Sequence, residues 1–518
     1  MITLSIDNQT VQVPEGATIL EAAQAAGITI PTLCHLKGFE PSTSCMVCVV
    51  HVENVKSLVP ACGAVALDHM RVKTDSDEIR GARRAALELL LSDHLGDCLG
   101  PCQMGCPAGM DIPRMLRYIA EDNDRAAIEV IKRDIPLPAI LGRICPAPCE
   151  KVCRRAKIDQ PVAICRLKRF AADIDLDCGE PFAPPTRSNK NKKVAIVGAG
   201  PCGLSAAYYL AGEGIVCVIY DEHAHPGGAL RYGAMDRTIL PVDIVDREIK
   251  NILQHNITFK PQQRIGKDIA FDSLCEQYDA VLVATGDAAL YDENDFALEA
   301  KNDKICIDRA RYSTSRTGVF AAGGATGSRR LAVRAVGDAK AAAHSIAAFL
   351  AGETIVKQNR FNSRMGALSA EELDVMLNTA GAEPRQEPEK PHAGYGRSVA
   401  RTEAQRCLHC DCRKADNCRL RDMAQTFGAD QRLWKGQRKT MRLSTDGHRL
   451  VYEPGKCIQC GLCVQTAGKA GETTGLAFSG RGFAMSIAVP FDKSLGQALA
   501  CAGPDCVKNC PTAALSWR

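Results

Sequence analysis

The chain has 518 residues, 24% of them charged and 46% hydrophobic, with a formal charge of +4 and 26 cysteines. That balance excludes a globally disordered chain, and no apolar run approaches the roughly 20 residues that span a bilayer. At about 100–200 residues per domain, the length predicts three or more domains.

No basic stripe points to nucleic acid. The opening Met1-Ile2-Thr3-Leu4-Ser5-Ile6 has neither a basic n-region nor an apolar h-region, so no secretory signal is expected and the expected location is cytoplasmic. Thiols stay reduced there, and the cysteines are expected as metal ligands rather than as a disulfide framework.

Residues 1–80 read as a small β-rich domain. Ile2, Leu4 and Ile6 alternate, as do Val11 and Val13, with Asp7-Asn8 as turn residues between them. A short helix is predicted over 18–23, followed by a loop-like stretch with Cys34, Cys45, Cys48 and Cys62. Residues 81–183 read as helical, with strong formers over 82–91, helical spacing over 113–133 and cysteines at both ends. A Pro/Ser/Lys-rich linker over 184–193 leads into residues 193–352, where apolar strands (194–197 and 216–220) alternate with helices, the pattern of an α/β domain. Residues 353–400 read as a helical and polar linker, and residues 401–518 as a C-terminal domain with ten more cysteines. No solenoid repeat is present.

Four cysteine groups carry the chemistry. The first is Cys34-x10-Cys45-x2-Cys48-x13-Cys62. Two sulfide-bridged irons need four soft thiolates, which one close pair and two outlying cysteines supply; zinc or free thiols are the alternative. The second is His94-x3-Cys98-x3-Cys102-x3-Cys106-Pro107, answered by Cys145, Cys149 and Cys153 and then by Cys165. The third is Cys407-x2-Cys410-x-Cys412-x5-Cys418, for which zinc is the alternative metal. The fourth is the triplet Cys457, Cys460 and Cys463 with the distant Cys510-Pro511, a pattern that grips three corners of a cubane and closes the fourth from afar. Cys501 and Cys506 read as spare, and Cys178, Cys202, Cys217, Cys275 and Cys306 as buried structural thiols.

In Val194-Ala195-Ile196-Val197-Gly198-Ala199-Gly200-Pro201-Cys202-Gly203, a strand, a tight turn and a helix follow one another. Gly198, Gly200 and Gly203 let backbone approach a pyrophosphate at the helix N-terminus. The second strand ends at Asp221, with Glu222 as the alternative acid for the ribose hydroxyls. Gly227 and Gly228, then Thr285 and Gly286, then Gly323 and Gly324 complete the series.

These motifs resemble known families piecewise. The first group and the preceding Ile28-Thr29-Ile30-Pro31-Thr32-Leu33 resemble the [2Fe–2S] domain of the complex I large iron–sulfur subunit and of iron hydrogenases. Gly142-Arg143-Ile144-Cys145-Pro146-Ala147-Pro148-Cys149-Glu150 resembles the helical domain of the glutamate synthase small subunit and of dihydropyrimidine dehydrogenase. There two [4Fe–4S] clusters interlace, which implies Cys98, Cys102 and Cys153 at one and Cys106, Cys145 and Cys149 at the other. The family often uses a Gln or Glu near Lys168, which lysine cannot replace; Cys165, three residues earlier on the same helix face, is the expected substitute. His94 stands where a complex I cluster site has a histidine ligand, and it reads equally as a capping residue. The fourth group resembles another complex I cluster site.

The glycine series resembles the FAD half of the glutamate synthase small subunit, which implies FAD ahead of NAD. That family has Asp where this chain has Gly324, so weaker flavin binding is expected. It also inserts a second nucleotide-binding domain where only residues 287–317 lie here, so its usual NAD(P)H site is expected to be missing.

The fold class implied is multidomain α/β plus α+β: a β-grasp ferredoxin-like domain, a helical iron–sulfur domain, a Rossmann-like FAD domain and a C-terminal ferredoxin-like iron–sulfur domain. The cofactors implied are FAD, one [2Fe–2S] and up to four [4Fe–4S] clusters. Nothing resembles a catalytic nucleophile or acid–base pair. The expected function is therefore an electron-transfer subunit whose partner holds the catalytic centre: a molybdenum or tungsten formate dehydrogenase, a hydrogenase, an NADH-oxidising flavin subunit, or else a ferredoxin. The alternatives are a self-contained NAD(P)H- or ferredoxin-dependent flavin oxidoreductase, with bifurcation as a variant, and an assembly scaffold.

Overall fold

The computed structural model describes residues 1–286, 296–328, 331–355, 360–390, 392–434, 439–446 and 450–517. They fall into two compact units. One gathers Met1–Leu99, Asn359–Asn378 and Cys410–Arg518; the other gathers Gly100–Gln358 and Thr379–His409. The boundary expected at residue 80 falls inside the helix Asp77–Ser92, which belongs wholly to the first unit. Ser76 caps that helix at the N–H of Ile79, and Asp77 and Glu78 complement its positive end.

In the first unit the strands Ile2–Ile6 and Gln9–Val13 pair antiparallel, joined through Asp7 and Asn8 at φ 49° and 67°, the left-handed pair a tight hairpin demands. The five-stranded sheet continues with Arg71–Lys73, Val49–Val52 and Val59–Pro60, and the helix Ile19–Ala25 carries a Thr18/Glu21 capping box. The alternating Leu4, Ile6, Val11 and Val13 point into one core with Ile19 and Leu20 of that helix. Near the C-terminus, Leu450–Tyr452 lies between Ser444–Thr445 and Leu515–Trp517, all antiparallel.

In the second unit a five-stranded, all-parallel sheet runs in the order Val319–Ala321, Ala280–Val283, Lys193–Val197, Val216–Tyr220, Ile257–Lys260. The helix Pro201–Gly212 follows the central strand, and the helix Ala332–Leu350 packs on it. The described chain between the first two strands of that order forms only the short hairpin Ala300–Lys301 and Lys304–Ile305; residues 287–295 of the expected gap lie outside the described residues.

The helical part of this unit shares one core with the sheet layer. Glu248, on the helix Val242–Leu253, is buried and accepts from the N–H groups of Ala139 and Ile140, capping the helix Pro138–Ile144 that ends at Cys145. Burial pushes its carboxyl up to about 7, against the downward pull of those N–H groups and of Lys132 and Arg143. A raised folded-state pKa gives stability that is full below the unfolded value and lost as pH rises through the folded one. The wild type should therefore lose about 3 kcal/mol relative to Glu248→Gln between about pH 4.5 and above pH 7. Urea unfolding of both proteins at pH 5 and pH 8 checks this; a pH-independent difference would refute it.

Candidate metal and cofactor sites

In the first unit, strand pairing sets Val49 opposite Pro60, so Cys48 and Cys62 flank one end of the same ladder with their Sγ atoms 3.4 Å apart. Thr43 and Met46 take left-handed φ values of 50° and 53°, a tight loop around Cys45, and Cys34 contacts both Cys45 and Cys62. All four are buried.

The triplet Cys457, Cys460 and Cys463 and the distant Cys510 line one small cavity, walled also by Tyr452, Ile487 and Leu515. Gln459 sits at φ 55° and donates its N–H to Cys457 Sγ at 3.3 Å. In the second unit, the first turn of the third group is built the same way: His409, at φ 47°, donates its N–H to Cys407 Sγ at 3.4 Å. An N–H aimed at sulfur favours thiolate. Burial works the other way and pushes Cys457 up to about 11 and Cys460 to about 12. Thiols so placed ionise only with a cation among them, which is what cluster iron supplies. A cubane spreads its thiolates around a volume; among the described residues no three His, Cys, Asp or Glu side chains converge on a single-ion site.

Cys98 lies in the first unit, in electrostatic contact with Cys412 and Cys418. Its Sγ accepts from the N–H of Ser363 at 3.3 Å. Cys102 and Cys153, which the resemblance groups with it, are assigned to the second unit. The thiols of three groups also meet one dry core: Cys34 and Cys45, Cys418 and Cys460 pack with Leu33, Leu87, Leu420 and Leu462. Ser42 Oγ donates to the carbonyl of Cys460 at 2.6 Å, tying the first loop to the fourth group. His94 is half-buried, facing Lys456, Lys439 and Glu453; desolvation, then the two ammonium groups, hold its imidazole down at about 4, neutral at pH 7.

In the second unit, Cys106 and Cys145 are the C-caps of short helices, and Cys149 rides the next one, entered through Ala147 at φ 49°. Cys165 opens the turn of Ile164–Asp177 that carries Lys168; its thiol contacts that of Cys145 and donates to the carbonyl of Leu141 at 3.3 Å. Glu150 accepts from the N–H of Cys165 at 2.9 Å and is itself held by Arg385. Lys168, 4% exposed, faces all four of these cysteines. Burial pulls its ammonium down, but the four thiols outweigh it and leave the group above its usual range. Cys102, Cys153 and Cys407 pack on the core of this unit.

The glycine cradle is tight. A Cβ on Gly203 would stand 1.9 Å from the carbonyl of Gly198, and Gly198 itself has φ 108° with no room before the carbonyl of Ala284. Gly228, at φ 50°, approaches Gly200 closely enough that a Cβ would meet its Cα at 2.8 Å. Asp221 Oδ2 accepts from the N–H of Ala199 at 2.6 Å, and Oδ1 meets His223 Nδ1 at 2.8 Å, while Glu222 reaches toward Arg264 at 3.5 Å. Of the two acids, Asp221 is thus the one at the loop. These backbone approaches fit a dinucleotide pyrophosphate at the start of the helix Pro201–Gly212. Gly323 lies against Cys202, and a Cβ on Gly324 would meet the carbonyl of Gly286 at 2.6 Å.

Three family matches coincide with these sites. Residues 1–77 match the 2Fe-2S iron-sulfur cluster binding domain, residues 95–179 the dihydropyrimidine dehydrogenase domain II, 4Fe-4S cluster, and residues 196–252 an NAD(P)-binding Rossmann-like domain. The chain is a mosaic of iron–sulfur and Rossmann modules.

Similar proteins include the NADPH-Fe(3+) oxidoreductase subunit beta of Geobacter sulfurreducens (strain DL-1 / KN400), 40% identical over 36% of this chain and 28% of that protein. The NADP(+)-dependent formate dehydrogenase subunit beta of Moorella thermoacetica is 36% identical over 42% of this chain and 33% of that one. The glutamate synthase [NADPH] small chain of Bacillus subtilis is 35% identical over 39% and 40%. The chain thus spans well under half the length of these relatives. No helix among the described residues is long and apolar enough to cross a membrane.

In this mosaic the sequence motifs named the thiols that come together in the first and fourth groups. Cys178 is exposed where a buried thiol was expected, because it caps the end of the helix Ile164–Asp177; Cys275 and Cys306 are half-buried, and Cys202 and Cys217 are buried. Cys506, read as spare, is fully buried and donates to the carbonyl of Cys463 at 3.6 Å. Lys414 was overlooked. Its position between Cys412 and Cys418 was the available signal.

Proposed function

We propose that the chain is an electron-transfer subunit of a larger oxidoreductase, with a flavin in the second unit and a set of iron–sulfur clusters in both. The observation that carries this reading is the dry core of the first unit, where thiols from three cysteine groups meet. Buried neighbouring sites of this kind suit one-electron carriers, and a flavin joins such carriers to two-electron chemistry.

In this reading Cys34, Cys45, Cys48 and Cys62 hold a [2Fe–2S] cluster. Cys457, Cys460, Cys463 and Cys510 hold a [4Fe–4S] cluster, Cys98, Cys410, Cys412 and Cys418 a second, and Cys106, Cys145, Cys149 and Cys165 a third. Cys102, Cys153 and Cys407 contribute to a fourth. FAD takes the cradle of Gly198, Gly200, Gly203, Gly227 and Gly228, with Asp221 toward its ribose. The chain's own residues bind, bury and electrostatically bias these groups. The partner is a catalytic subunit, such as a formate dehydrogenase or hydrogenase, or a ferredoxin, and the compartment is the cytoplasm.

Anaerobic affinity purification from the native host, with mass spectrometry and iron, sulfide and flavin analysis, tests this. A stoichiometric catalytic subunit beside a cluster-loaded chain is the expected result. A chain that emerges alone, loaded and rapidly reduced by NADPH, would favour the self-contained oxidoreductase instead.

A further inference from the structure

Lys414 lies among the five residues between Cys412 and Cys418 and is 8% exposed. Its Nζ donates to the carbonyl of Cys510, at 2.8 Å, and to that of Val507. It therefore reaches from the backbone of one cysteine group to that of another. Among the described residues no carboxylate pairs with it. The neighbouring Arg413 and Lys456 differ in this respect, because they share Glu453 at 2.9 and 2.7 Å. A buried ammonium without a counter-ion is costly; burial pulls Lys414 below its ordinary range, and the cysteines that face it and work the other way are Cys510, Cys418 and Cys412.

We propose that Lys414 is the electrostatic junction of two cluster sites, Cys98–Cys412–Cys418 and Cys457–Cys460–Cys463–Cys510, and holds the reduction potentials of both up. The inference rests on the cluster reading above. Reduction of either site adds one negative charge. A fixed cation carried on the loop of one site and hydrogen-bonded to the backbone of the other stabilises the reduced state of each, and it offsets the repulsion between two reduced neighbours. Second-shell charge and hydrogen bonding tune such potentials over hundreds of millivolts. The role is one of positioning charge; Lys414 is not a ligand.

The test uses the anaerobically purified full chain. Iron and acid-labile sulfide content come first, and electron paramagnetic resonance follows during a redox titration. Lys414→Gln keeps N–H donors for the carbonyls and removes the charge. It should make the two sites about tenfold harder to reduce, about 59 mV for a one-electron couple, with a smaller shift at the Cys34–Cys62 site. Lys414→Arg should return both potentials toward the wild type. Lys414→Met should act like the glutamine variant; if it fails to fold, the glutamine variant decides alone. Clusters intact with unmoved potentials in Lys414→Gln would overturn the inference, as would an equal fall in Lys414→Arg. A wild-type chain without clusters at these cysteines, visible already in the iron content, would instead overturn the reading beneath it.

Discussion

Cys165→Ala should strip one cluster from the chain and destabilise its helical region by about 3–5 kcal/mol, the range measured when a buried charge loses its partner. Cys165 stands with Cys106, Cys145 and Cys149 around Lys168, and these thiols outweigh burial in setting the lysine's charge. A cluster held there carries the negative charge that Lys168 faces. Without it, an ammonium 4% exposed is left in a dry site. The double variant Cys165→Ala, Lys168→Met should therefore regain most of the lost stability while the cluster stays absent. Iron and sulfide content, read beside urea unfolding, separates the two effects. Full iron content in the single variant would remove Cys165 from the ligand set. No recovery in the double variant would remove Lys168 as the source of the instability.

Lys168 and Lys414 share a setting with opposite balances: the thiols outweigh burial at Lys168, and burial outweighs them at Lys414. Each is a buried ammonium aimed at cysteine groups, on the same short segment as a candidate ligand. The sequence offers only spacing, Lys168 three residues after Cys165 and Lys414 two after Cys412, and a lysine so placed is ordinarily a solvated side chain. Local signals were legible. Asp7-Asn8 marked the hairpin, the alternation of Leu4, Ile6, Val11 and Val13 marked the buried face, and the tight glycine run marked the strand–turn–helix of the second unit.

Cysteine grouping was less legible, because it is set by tertiary contact. Cys98 precedes Cys102 by four residues, and other thiols near it, those of Cys412 and Cys418, lie over three hundred residues away in sequence. The run from Cys407 to Cys418 reads as one four-thiolate site; Cys407 is assigned to the second unit and Cys410, Cys412 and Cys418 to the first. His94 illustrates the opposite limit. Its spacing to Cys98 suggested a ligand, while its surroundings are Lys456, Lys439 and Glu453. The neutral imidazole is the form that binds metal.

Gly324→Asp, which installs the acid that similar flavoproteins have at this place, should lower flavin retention rather than raise it. The expectation from the sequence was that a missing carboxylate only weakens binding. The structure adds a steric constraint: a Cβ at 324 would stand 2.6 Å from the carbonyl oxygen of Gly286 and 2.8 Å from its carbonyl carbon. Both are backbone atoms, so no side-chain rotation relieves the contact. Gly286 follows the strand Ala280–Val283, and Gly324 follows the neighbouring parallel strand Val319–Ala321. The two strand ends close on each other where the glycine series converges. Overpacking of this kind costs about 1–3 kcal/mol, and at this position it also pushes apart the backbone that forms the cradle. Gly324→Ala should therefore share most of the defect, since the collision begins at Cβ. Flavin content after anaerobic gel filtration and the melting temperature of the three proteins decide the matter. If Gly324→Asp binds flavin more tightly than the wild type at equal stability, the strand ends open in solution and the missing carboxylate is the whole of the departure.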